Sequence, residues 1–150
     1  MATTRIGTHI HASRAEVYRL LLDADAVKEW MVPDGLTSEV HRFEPEVGGS
    51  FSITLIYDEG TSLQHDAYYG RFLELIPDRK AVEVIEFVTE MPDMTGSQTV
   101  TITLADEDGG THLEVLHEGV PSGLSLADNE TTWRMALRKL TALAERGTVD

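Results

Sequence analysis

The chain has 150 residues, 41% of them apolar, with 26 acidic against 12 basic side chains and a formal charge of −14. That length suits one domain with a real hydrophobic core, and the composition excludes disordered and fibrous classes. The charge repels phosphate backbones and anionic lipid heads, so nucleic acid and membrane surfaces are not expected partners. Cysteine is absent, which removes disulfides and thiol chemistry. No apolar run approaches the roughly 20 residues of a membrane span, and Met1 to Arg5 carries no apolar signal core, so a cytoplasmic location is expected.

In chain order, Ile6 to Ile10 reads as a first strand. Ser13-Arg14-Ala15-Glu16 is a capping box, with Ala12 and Val17 placed as a staple. Val17, Leu20 and Leu21 then make a helical apolar face beside Tyr18 and Leu22. Asp23 or Asp25 restarts a short helix to Trp30, and Pro33 ends it because the residue before proline avoids the α region. Val40 to Phe43 is the next strand, closed by Pro45. Gly48-Gly49 marks a turn or bulge. Phe51, Ile53, Leu55 and Tyr57 alternate with Ser52 and Thr54 as a half-buried strand should. Asp58-Glu59-Gly60 turns the chain into a strand from His65 to Ile76, its pattern broken at Gly70. After Pro77-Asp78, Ala81 to Val88 is apolar at both parities, and its faces stay unassigned. Met91 to Met94 is a proline loop. Val100, Ile102 and Leu104 alternate with threonines, Asp108-Gly109 makes a hairpin turn, and Leu113, Val115 and His117 alternate with His112, Glu114 and Glu118.

The last element is a long amphipathic helix from Leu126 to Arg146. Leu126, Trp133, Leu137, Leu140 and Ala144 fall on one face, Ser125 serves as N-cap, and Gly147 as stop. The order is therefore β-α-α-β6-α. Short turns between successive strands imply an antiparallel sheet, and the simplest α+β arrangement lays the final helix across it.

Trp30-x-x-Pro33, Glu46-Val47-Gly48-Gly49-Ser50-Phe51, Gly70 to Pro77, Gly110 to Gly119, and Trp133 with Leu137 and Leu140 follow one another across nearly the whole chain. In this order they resemble the START-like SRPBCC superfamily, and most closely the branch named for the activator of heat-shock-protein ATPase homologue. The resemblance implies a helix-grip (START/Bet v-like) fold, a curved antiparallel sheet wrapped around the C-terminal helix. It also implies a cavity between the two that takes a small apolar or aromatic molecule. An enzyme of the polyketide cyclase or hydrolase type, or a co-chaperone-like interaction module, would use the same fold.

The candidate ligand-binding residues are Trp30, Tyr57, Tyr69, Glu86, His117, Trp133 and Leu137. His117 shares strand parity with Leu113 and Val115 and should point inward, either as a cavity hydrogen-bond donor or general acid/base, or as a histidine satisfied by its neighbours. Trp30 either caps the cavity mouth or plugs the core. One of Tyr68 and Tyr69 must face the concave side, and parity alone leaves open which; Tyr69 is the residue carried forward. Glu86 is a pocket carboxylate or an edge residue. Met91 and Met94 form a pliable lip or a plain surface loop. His9 and His11 would share an outer strand face, but no ligand spacing of the His-Glu-x-x-His kind occurs, so no metal site or other cofactor is expected. A monomer or homodimer is expected.

Overall fold

The computed structural model describes residues 2–57 and 65–146, with only the backbone described at 57, 65 and 66. Among these residues, β1 (Thr3–Ile10) is followed by α1 (Arg14–Leu21) and α2 (Ala24–Trp30). Six strands come next: β2 (Leu36–Phe43), β3 (Ser50–Tyr57), β4 (His65–Ile76), β5 (Lys80–Phe87), β6 (Gln98–Glu107) and β7 (Gly110–Glu118). A single 3-10 turn, Pro92–Met94, separates β5 from β6, and α3 (Leu126–Arg146) closes the order. All neighbours are antiparallel, in the order β1-β7-β6-β5-β4-β3-β2, so the first strand lies beside the last and β2 forms the far edge. This is the helix-grip fold, with α3 laid along the concave face.

The local devices act as the sequence implies. Ser13 Oγ accepts from Glu16 N at 3.1 Å to start α1, and Asp23, not Asp25, caps α2. Ser125 Oγ accepts from Asp128 N at 3.1 Å to start α3. Two expectations fall outside the described residues, the turn at Asp58-Glu59-Gly60 and the stop at Gly147.

Several details differ from expectation. β2 begins at Leu36, earlier than its apolar pattern suggests, because its inward residues include Ser38 rather than a hydrophobe. Pairing runs without interruption through Gly70. The register shift in β4 falls between Phe72 and Glu74, so Leu73 faces solvent and Leu75 returns to the interior side. Gly70 is needed for another reason. A Cβ there would stand 2.1 Å from the Val84 carbonyl oxygen and 2.7 Å from Phe51 Cζ, so glycine lets the Phe51 ring lie flat on the sheet. Leu126 is 47% exposed and does not extend the buried stripe of α3, whose first inward residue is Asn129.

The core fills the concave side. Ile6 and Ile10 from β1, Val100, Ile102 and Leu104 from β6, and Leu113 and Val115 from β7 meet Leu137, Leu140 and Ala144 of α3. At the other end α1 and α2 bring Val17, Leu20, Val27 and Trp30 against Phe51, Phe72 and Ala81. The two halves do not close completely, and cavities remain where they meet.

Candidate functional site

Near the N-terminal half of α3 the sheet and helix stand apart. Between them lies a half-open chamber of about 120 Å³, walled by Met31, Val32 and Pro33 from the segment after α2, by Tyr68, Ile85 and Phe87 from the sheet, and by Trp133 and Ala136 from α3. The rim segment is fixed to the helix from outside. Arg138 donates to Asp34 at 2.9 Å and Lys139 to the Val32 carbonyl at 2.6 Å. A wider opening of about 480 Å³ lies alongside and shares Pro33, Tyr68 and Phe87 with the chamber; Met91, Met94 and Leu124 line it too. The two methionines therefore stand at the lip of the cavity system, where an unbranched thioether adapts to varied shapes.

His117 closes one end of the chamber and is 3% exposed. Trp133 Nε1 donates to its Nδ1 at 3.1 Å. An indole nitrogen can only donate, so Nδ1 carries no proton. Nε2 then bears the hydrogen and donates to Gln98 Oε1 at 2.8 Å. Asn129 Nδ2 lies 3.1 Å from the same Nδ1 and donates to Thr4 Oγ1 at 2.9 Å. Burial pushes the imidazole down to about 4, and the donors around Nδ1 leave a second ring proton no acceptor. His117 is thus a neutral histidine satisfied by its neighbours, which joins β1, β6, β7 and α3 in one buried network. Gln98, Asn129 and Thr4 were not singled out from sequence. A signal existed for two of them: Gln98 has the parity of Val100 and Ile102, and Asn129 stands four residues before Trp133 on the inner stripe.

The other candidates divide. Trp133, whose sequence position points first to core packing and second to cavity lining, lines the chamber. Trp30 plugs the core rather than capping the mouth; it is buried, and its Nε1 donates to the Leu20 carbonyl at 3.1 Å, tying α2 to α1. Leu137 is buried one position past Ala136 and faces β1, so it packs the core and does not wall the chamber. Tyr69 is 46% exposed on the convex face, whereas Tyr68 is 7% exposed and points inward. Glu86 is opposite Tyr69 and shares that outer face, where Ser97 Oγ donates to it at 3.4 Å. Tyr57 ends β3 opposite Leu36, and its side chain is outside the described residues.

The carboxylate that does face inward is Glu83, paired with Phe72 and on the parity of Ala81 and Ile85. With Tyr68, Trp30, Phe51 and Phe72 it walls a small void of about 30 Å³, the space of one water molecule. Among the described residues nothing donates to its carboxylate, and burial pushes it up to about 7. Tyr68 belongs to the void, the chamber and the outer opening alike. Its hydroxyl is buried without a hydrogen-bond partner, and burial first, then the charge of Glu83, raise its pKa. Sequence reasoning missed Glu83 because β5 is apolar at both parities and only its register with β4 assigns the faces.

Outside the cavity, antiparallel pairing sets His9 opposite His112, with Glu107 accepting from His9 Nδ1 at 2.7 Å. His11 lies just past the end of β1, and its ring meets that of His9 edge-on at 4.6 Å. Among the described residues no group of three or more His, Cys, Asp or Glu side chains has an arrangement that could hold a metal ion, and no helix is long and apolar enough to cross a membrane.

Among solved structures, a protein from Chromobacterium violaceum is 29% identical, with a TM-score of 0.88 over 97% of this chain and 99% of that one. The AHSA1-like protein from Aeromonas hydrophila is 18% identical, with a TM-score of 0.78 over 99% and 96%. The Aha1 dimer from Colwellia psychrerythraea is 19% identical, with a TM-score of 0.68 over 99% and 100%. No curated protein matches the chain. The model of the family described as activator of Hsp90 ATPase homolog 1-like protein matches residues 11–145, nearly the entire helix-grip fold just described, and the chain belongs to that family.

Proposed function

We propose that this protein binds a small, largely apolar or aromatic molecule in the chamber between α3 and the concave sheet. One observation carries the reading. The chamber has apolar walls and a volume of about 120 Å³, close to the roughly 150 Å³ of an apolar cavity that takes up benzene. Its histidine is bound on both ring nitrogens, so the polar end of the chamber serves the fold rather than proton transfer. Most of the wall offers contact area and no charge, which suits recognition by shape and burial.

The test pairs a ligand screen with a blocking variant. Apolar fluorescent probes should bind the folded protein saturably and raise its melting temperature by mass action, by about 2.7 kcal/mol of stability at a hundredfold excess over Kd. Ala136 faces the chamber and is buried, so Ala136→Leu should fill it, abolish probe binding and leave the circular dichroism unchanged. Probe binding that survives this substitution would place the ligand elsewhere. Native mass spectrometry of the purified protein would show a retained ligand, and would decide between the monomer and homodimer expected of a cytoplasmic binding protein.

A further inference from the structure

Taking the chamber as the binding site, we infer that its ligand is a single-ring or similarly small apolar molecule bearing one uncharged hydroxyl, held between the Tyr68 phenol and the Glu83 carboxyl group. Tyr68 is more than nine-tenths buried, and its hydroxyl has no partner. Buried hydroxyls without partners are rare in folded proteins and call for a specific explanation. This one belongs to a side chain that walls the chamber, the opening and the inner void together, so a molecule entering the chamber meets that side chain.

Glu83 supplies the second contact. Tyr68, Gly70 and Phe72 are successive inward positions of β4, and Glu83 lies opposite Phe72 on β5. Gly70, between them, leaves its space to the Phe51 ring, which also borders the void that Tyr68 and Glu83 share. Tyr68 and Glu83 both wall the inner void, which puts the two side chains at one small space. The void they share accepts one atom group the size of water, whereas the adjoining chamber accepts a ring.

The nature of the head group follows from what surrounds Glu83. Trp30, Phe51, Phe72 and Ile102 offer the carboxyl no compensating donor. An ammonium would create an ion pair in that apolar wall with its remaining protons poorly satisfied, which burial disfavours. An anionic head would meet Glu83 and the field of a chain carrying −14. A hydroxyl both donates and accepts, so it satisfies Tyr68 and Glu83 whether or not the carboxyl is protonated.

Isothermal titration with two matched pairs tests this. Phenol and toluene exchange a hydroxyl for a methyl; benzyl alcohol and benzylamine exchange a neutral for a cationic head. The wild-type protein should bind phenol at least as tightly as toluene, although water holds phenol more strongly, and should prefer benzyl alcohol to benzylamine. Tyr68→Phe removes only the unpartnered oxygen, and Glu83→Leu replaces the carboxyl with an apolar group. Each should lower the phenol-to-toluene affinity ratio at least tenfold while toluene binding stays within about twofold. An unchanged ratio in both variants would overturn the anchor and leave the chamber intact as a purely apolar site. Tighter binding of benzylamine would overturn the uncharged head. A parallel loss of both phenol and toluene in the variants would show damage to the chamber rather than loss of an anchor, and would overturn it too. A wild-type protein that binds apolar probes but neither phenol nor toluene would overturn the ligand class. If those probes also fail, the chamber itself falls, and the anchor with it.

Discussion

Glu83 and His117 should hide each other's pH dependence, and substituting one should expose the other. His117 is buried and neutral, with its pKa pushed down to about 4. In an unfolded chain the same imidazole titrates near 6.5. As pH falls below 6.5 the unfolded state binds a proton that the native state refuses, so this contribution to stability is full above that pH and is lost on the way down to 4. Linkage puts the loss at about 2 kcal/mol by pH 5 and about 3 kcal/mol at pH 4. Glu83 works in the opposite sense. Its pKa is pushed up to about 7 in the folded protein, so the native state takes up a proton first as pH falls from 7 to the unfolded value near 4.5, and stability rises across that window. Glu83 is half-buried and keeps some access through the cavity, so solvent screening holds its contribution to about 1–2 kcal/mol. The two nearly cancel between pH 6.5 and 5. Urea unfolding at pH 7.5, 6 and 5 of the wild-type protein, His117→Gln and Glu83→Gln separates them. Differences from wild type remove the background of the other acidic residues. His117→Gln should gain about 2 kcal/mol relative to wild type between pH 7.5 and 5, and Glu83→Gln should lose about 1–2 kcal/mol over the same range. If both differences stay flat with pH, the two groups do not titrate as their burial requires, and the electrostatic account of the interior is wrong.

The helix offers a sharper contrast than its sequence pattern would. Leu137→Ala, in a close-packed position, should cost about 2–5 kcal/mol in chemical denaturation, whereas Leu126→Ala at the exposed first turn should stay within about 0.5 kcal/mol. Removing the cap with Ser125→Ala should cost about 1 kcal/mol by the same measurement. Gly70→Ala drives a methyl group into the Val84 carbonyl and the Phe51 ring, and should destabilise by about 4 kcal/mol or more, seen as loss of a cooperative melt.

The fold was largely legible because its signals are local. Alternation in β3, β6 and β7 and the stripe on α3 each state which face is buried, and together they put His117 inside without any knowledge of its partners. The site was less legible because it depends on register. Tyr68 and Tyr69 are chemically identical neighbours, and only pairing with β3 and β5 says which one turns inward. Glu83 and Glu86 lie three apart on an apolar strand and so on opposite faces, a choice the strand's own composition does not make. Trp30 and Leu137 both turn inward, but an inward side chain can pack against a neighbour or border empty space. That distinction lies in the tertiary gap near the N-terminal half of α3, not in any one element's periodicity.

The strand order also bears on how the protein comes to fold. Among the described residues β1 has a single neighbour, β7, and pairs Thr3 with Glu118 and Ile10 with Thr111. During synthesis the first strand therefore emerges long before its partner exists, while β2 to β7 can pair as successive hairpins with short loops. The chain must bring distant ends together late, which is entropically slow and leaves the open edge of β7 available to another chain in the meantime. α3 emerges later still and covers the concave face only at the end. Until α3 docks, the part of the concave face that it covers, around Val100, Ile102, Leu113 and Val115, stays exposed, so the last helix is also what ends the period of greatest aggregation risk.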